Sequence, residues 1–105
     1  MDIAISKDKV PIRLNSERWL HITTGHPDIA DYYYEILETI EEPEVIYEGS
    51  NGAKIAVKSF QETLGKFIVV VYKEISNTDG FVLTAYLAKG KQTFKKKTIL
   101  WKLQN

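Results

Sequence analysis

The feature that most narrows what this chain can fold into is a change of hydrophobic period between residues 40 and 45. Before it, Ile29, Tyr32, Tyr33, Ile36, Leu37 and Ile40 recur at offsets of 3, 4, 7, 8 and 11. That spacing puts them on one side of a helix, with Asp31, Glu35 and Glu38 on the other. Pro43 closes the pattern, because the residue before a proline avoids the helical region. After it the period is two: Ile55 and Val57 alternate with Lys54, Ala56 and Lys58, as in a strand with one buried face. Helices followed by hairpin strands define an α+β chain, and 105 residues suffice for one domain spanning 1–105.

Punctuation sets the expected boundaries. Asn15 or Ser16 caps a first helix over 16–24, and Gly25 ends it in the left-handed conformation that glycine adopts without steric cost. His26-Pro27-Asp28 opens a second helix over 28–41, with Pro27 pre-shaped for its first turn. Tyr32 and Tyr33 are expected in the core and Tyr34 on its flank. Strands are expected over 53–59, 66–75 and 81–88, with a last edge strand near 98–103 and residues 1–12 forming an edge strand or an ordered arm. The expected sheet is curved and antiparallel, with about four strands. Lys89-Gly90-Lys91 and Lys95-Lys96-Lys97 fall in a basic loop.

Charge is sorted along the chain although it sums to zero. Residues 1–52 hold four basic side chains against eleven acids, and residues 53–105 hold ten lysines against three acids. Either the halves neutralise each other where they pack, or the basic half faces a polyanion such as RNA. No stretch approaches the roughly 20 apolar residues of a membrane span, and MDIAISKDKVP lacks the apolar run of a secretory signal. With no cysteine, these features give the expectation of a cytoplasmic protein without a membrane partner.

Few residues can carry chemistry. There is no glycine-rich phosphate loop, no G-x-S-x-G and no H-E-x-x-H, and two histidines without cysteine make a poor zinc set, so no metal and no cofactor are expected. His21 and His26 flank Gly25, either as proton carriers or as packing residues at helix ends. Thr84 and Tyr86 share one strand face, opposite Leu83, Ala85 and Leu87. Lys54 and Lys58 oppose Ile55 and Val57, so they are expected on the same open face as Thr84 and Tyr86. That face either holds a phosphodiester or is simply solvated.

The segments NSERWLHITTGHPDI, EEPEVIYEG, IVVVYKE, GFVLTAYLA and LWK resemble phage-associated nuclease-like domains of the barnase–EndoU–colicin E5/D–RelE superfamily. The likeness spans about residues 12–102. It implies helices followed by a curved antiparallel sheet, and a metal-independent ribonuclease activity often deployed as a toxin. By this resemblance His21, His26, Lys58, Lys73, Thr84 and Tyr86 fall where the group carries its polar motif residues. Relatives usually read R-H-P-E, whereas this chain has Gly25 and Asp28 at the outer positions.

The leading expectation is therefore an endoribonuclease in which the ribose 2′-oxygen attacks the adjacent phosphorus. His26 carries one proton and His21 or Tyr86 the other; Lys58 and Lys73 offset the developing charge, Thr84 bonds a phosphate oxygen, and Lys54 adds a phosphate contact. RNA is the expected partner, with a cognate inhibitor or antitoxin protein as a second. The rivals are a non-catalytic RNA- or protein-binding module on the same fold, and an accessory protein whose basic strip meets an acidic partner.

Overall fold

A computed structural model of the protein describes residues 2–104. Its strands are β1 (Asp2–Ile5), β2 (Pro11–Leu14), β3 (Val45–Glu48), β4 (Lys54–Ser59), β5 (Phe67–Ser76), β6 (Asp79–Ala88) and β7 (Ile99–Lys102), and its helices are α1 (Ser16–Gly25) and α2 (Tyr33–Glu41). All seven strands form one mixed sheet in the order β1-β2-β6-β5-β4-β3-β7. The α+β class holds, but the sheet has seven strands rather than about four, and β2 runs parallel to β6. β1 and β7 are the two edge strands and lie within the 1–12 and 98–103 expected for them, whereas β2 and β3, also four residues long, are too short to display a period of their own.

The sheet is covered unequally. On one face α1 and α2 pack Ile22, Ile36 and Ile40 against Ala56, Ile68, Val70, Tyr72 and Ala85. The alternate residues Val45, Tyr47, Ile55, Val57 and Val69 form a smaller cluster on the far face. The loop after β6 covers part of it, pinned by Phe94, whose ring stacks on Tyr47 with centroids 5.1 Å apart. The helix layer carries the acidic residues of α2; the far-face loop carries Lys89, Lys91, Lys95, Lys96 and Lys97. Among the described residues no helix is long and apolar enough to cross a membrane.

Two helix boundaries differ from expectation. Asn15 is the cap of α1, its Oδ1 accepting from the Arg18 amide at 2.8 Å. Gly25 is still helical and lacks a positive φ, and the His26 amide ends the helix by bonding the Ile22 carbonyl. Pro27–Ile29 then form a separate 3-10 turn, held by Ile29 N–H to His26 O at 3.1 Å and Ala30 N–H to Pro27 O at 3.2 Å. Consequently α2 starts at Tyr33 rather than 28. Ile29 is buried all the same, because the tighter turn aims it at the same core. Tyr34 is exposed, as expected, whereas Tyr32 and Tyr33, expected in the core, are only half-buried and pack against its edge.

The β2–β6 contact is short and tight. Only Ile12 with Gly80 and Arg13 with Phe81 are in register. A Cβ on Gly80 would stand 2.6 Å from Ile12 Cδ1 and 2.6 Å from the Lys73 carbonyl oxygen. Glycine is therefore required where β2 meets the sheet.

Two stability predictions test this packing. Ile36 is completely buried in mid-stripe, so Ile36→Ala should cost about 2–5 kcal/mol in urea melts; a loss below about half a kcal/mol would contradict its core position. Gly80→Ala should cost about 1–3 kcal/mol, because a backbone carbonyl cannot move aside as a side chain can. An unchanged melt would show that β2 is not seated as described.

Candidate functional site

Because β2 leaves β6 after Phe81, the C-terminal half of β6 has no strand on that side among the described residues. α1 and the 27–29 turn lie along it instead. Arg18 bridges the seam, its Nη1 donating to the Leu83 carbonyl at 3.3 Å. Farther along, the exposed ring of His26 lies 5.6 Å from the ring of Tyr86, tilted by 33°. His26 is held there by its amide bond to Ile22 and by the turn that follows it.

The far face continues from this seam. Val69 pairs with Tyr86 and Val71 with Thr84, which sets both polar side chains on the far face, as expected from their spacing. Lys73 follows Val71 by two residues and lies there too, lining a groove with it. Arg13 also points to this face, because its neighbours Ile12 and Leu14 are buried under the helices. A second groove of about 560 Å³ is lined by Arg13, Asn15, Glu17, Arg18, His21 and Phe81, among others. His21 thus shares a recess with two arginines, and His26 shares a ring contact with Tyr86.

Electrostatics separates these residues. Burial raises the pKa of the Tyr86 phenol, so it is a protonated donor at neutral pH. Arg13 is engaged: its Nε and Nη2 donate to Asp79 at 2.8 and 3.1 Å, and these bonds lower the carboxyl's pKa. Arg18 has no acid partner among the described residues, its guanidinium meeting only a carbonyl.

Lys54 and Lys58 are not part of this surface. Alternation along β4 is as expected, but the face shared by Lys54, Ala56 and Lys58 is the helix-covered one, because α2 packs over the small Ala56. Lys54 Nζ donates to Glu74 at 2.6 Å and to Asp8. Burial alone would lower the Lys54 pKa, and these bonds more than reverse that. Lys58 Nζ donates to the Glu42 carbonyl at 2.8 Å and pairs with Glu38 at 3.5 Å, complementing the negative end of α2. Neither ammonium meets His26 or Tyr86. Both lysines are fastenings between acidic and basic halves of the chain.

A β-bulge in β6 explains a further departure. The register shifts between the pairs Val71–Thr84 and Tyr72–Val82, leaving Leu83 extra. Leu83 therefore lines a far-face groove with Phe81 and Lys73 rather than packing under the helices with Ala85 and Leu87. Arg18 and Phe81, the residues that knit the seam to the far face, carried no motif of their own. Gly80, where β2 closes on β6, gave no signal of it either, because it falls just before the expected strand 81–88 and reads as part of a turn.

Among the described residues no three His, Cys, Asp or Glu side chains gather where a metal ion could be held. No family model, curated protein or solved structure matches the chain.

Gly25 lies on the seam, one residue before His26, and a Cβ built on it meets nothing within 4 Å. A side chain can therefore leave the backbone there without a clash at its first carbon. Gly25→Arg should fold normally and gain roughly 0.5–1 kcal/mol of helix propensity in a thermal melt. A loss of stability would show that the space beside His26 is closed.

Proposed function

We propose that this chain is a metal-independent endoribonuclease, acting at the seam between α1 and β6. The observation that carries the proposal is the pairing of the exposed His26 imidazole with the Tyr86 phenol, next to a groove lined by Arg18 and His21. An imidazole can take a proton near neutral pH, and a phenol kept protonated by burial can give one. The resemblance to the barnase–EndoU–colicin–RelE superfamily rests on the sequence segments alone, since here β1 and β2 precede the helices.

In this reading His26 removes the proton from a ribose 2′-hydroxyl, and the 2′-oxygen attacks the adjacent phosphorus. The P–O5′ bond breaks, and the leaving 5′-oxygen takes a proton from Tyr86. Arg18, Lys73 and Thr84 face the phosphate oxygens as charge builds on them, a role best filled by groups already in place. His21, in the arginine-lined groove, contacts the strand rather than the scissile bond. The products are a 2′,3′-cyclic phosphate and a 5′-hydroxyl. Lys54 and Lys58 have no part in it, for their ammonium groups are taken up on the helix side. A toxin-like role with a cognate inhibitor protein would follow from the same resemblance.

One observation favours a second reading, RNA binding without cleavage. Where the resembled family usually carries arginine this chain has Gly25, which brings no cation beside His26.

The two readings separate on incubation of purified protein with total RNA in EDTA. Cut ends should carry 2′,3′-cyclic phosphates, and His26→Ala should slow cutting by about 10²–10⁴-fold, as removal of a general base does. Gly25→Arg should leave cutting intact or raise it. RNA that is bound but never cut, by either protein, would overturn the nuclease and leave the binding module.

A further inference from the structure

A strand of RNA cut at the seam, as proposed above, would extend beyond it, and the far face has a second recess that shares Phe81 with the groove of Arg18 and His21. This groove, of about 520 Å³, lies between the turn at Gly49–Gly52 and β6. Ile55, Val71 and Leu83 form its apolar floor, Phe81 one wall, and Lys73 and Lys97 its charged rim. Phe81 also borders the groove of Arg13, Arg18 and His21. One half-buried aromatic ring thus stands between two recesses, each edged by cations.

The two rim lysines differ from Lys54 and Lys58. Neither Lys73 nor Lys97 has an acid partner among the described residues. Lys73 lies along the turn, with its Cε 3.8 Å from where a Cβ on Gly52 would stand. Lys97 comes from the basic loop fixed over this face by Phe94. No acid lines the groove. An apolar floor, an aromatic wall and cations at the rim suit a planar apolar group linked to anions on either side. A base within a single strand has that chemistry, whereas a duplex keeps its base faces stacked away.

Resting on the function proposed above, we propose that this groove is a nucleobase subsite. A nucleotide flanking the cleaved linkage of a single-stranded RNA stacks its base on Phe81, over the floor of Ile55, Val71 and Leu83. Lys73 and Lys97 hold the phosphates on either side of it. The subsite would fix which linkage enters the seam.

The test is fluorescence anisotropy of the full chain with a labelled single-stranded 2′-O-methyl hexanucleotide, which cannot be cut by 2′-oxygen attack. Single-stranded DNA and an RNA duplex of the same sequence serve as further probes. Phe81→Ala should weaken binding of the single strand roughly 5- to 150-fold, the usual worth of one stacked base. Phe81→Leu, which keeps apolar bulk in β6, should weaken it in the same direction. Lys97→Ala, in an exposed loop, should reduce the slope of log affinity against log salt by about 0.7. Binding unchanged in Phe81→Leu and Lys97→Ala, equal affinity for the duplex, or no binding by wild type would each overturn the subsite. Its failure is distinct from that of the nuclease. Cleavage by wild type with unaltered binding in both variants removes only the subsite. Binding that depends on Phe81 and Lys97, with unmodified RNA left intact, removes only the catalysis.

Discussion

The arrangement depends on the contact between Ile12 and Gly80. With no side chain at position 80, β2 can close on β6 tightly enough for its Ile12 methyl to fill the gap. The pairing lasts two residues, after which Asn15 caps α1 and the chain leaves the sheet. Half of one edge of β6 is thus given to a helix rather than a strand. A strand there would have used the edge's backbone groups and set its own side chains alternately up and down. A helix lays Arg18, His21 and the His26 junction along the edge instead, within reach of the far face. The candidate chemistry is a consequence of that substitution.

The opposed charges of the two halves of the chain are resolved lysine by lysine. Two lysines of the basic half are used internally: Lys54 ties the turn after β1 to β5 through Asp8 and Glu74, and Lys58 closes the end of α2. Glu74 also accepts from Ser6 Oγ at 2.6 Å, so this fastening spans three segments. The cations of the far-face loop and Lys73 are left facing outward. The neutralising reading of the sequence charge therefore holds for Lys54 and Lys58, and the polyanion reading is left, as a proposal, to the far-face cations. A neutral total charge conceals an acidic helix layer and a basic sheet face.

Much of this was legible in residue spacing. The period change located the helices and the three long strands, and the parity of Thr84 and Tyr86 put them on one face. Parity could not say which face the helices cover, and there Lys54 and Lys58 were misassigned. Ala56 decides the matter, because a methyl group leaves room for α2 where a larger side chain would not. The bulge at Leu83 is also silent in the sequence, since Phe81 to Ala88 reads as an unbroken strand. The four-residue strands are defined by their partners rather than by their own pattern. The juxtaposition of His26 with Tyr86 joins residues sixty apart, and only the fold brings them together.

The central claim is that RNA meets the α1–β6 seam and the face continuous with it. Chemical-shift mapping of labelled protein titrated with an uncleavable single-stranded RNA addresses it directly. The account predicts shifts at Arg18, His21, His26, Phe81, Thr84 and Tyr86, extending to Lys73 and Lys97, with Lys54, Lys58 and the exposed face of α2 unmoved. Shifts confined to the helix layer, or none at saturating RNA, would contradict it.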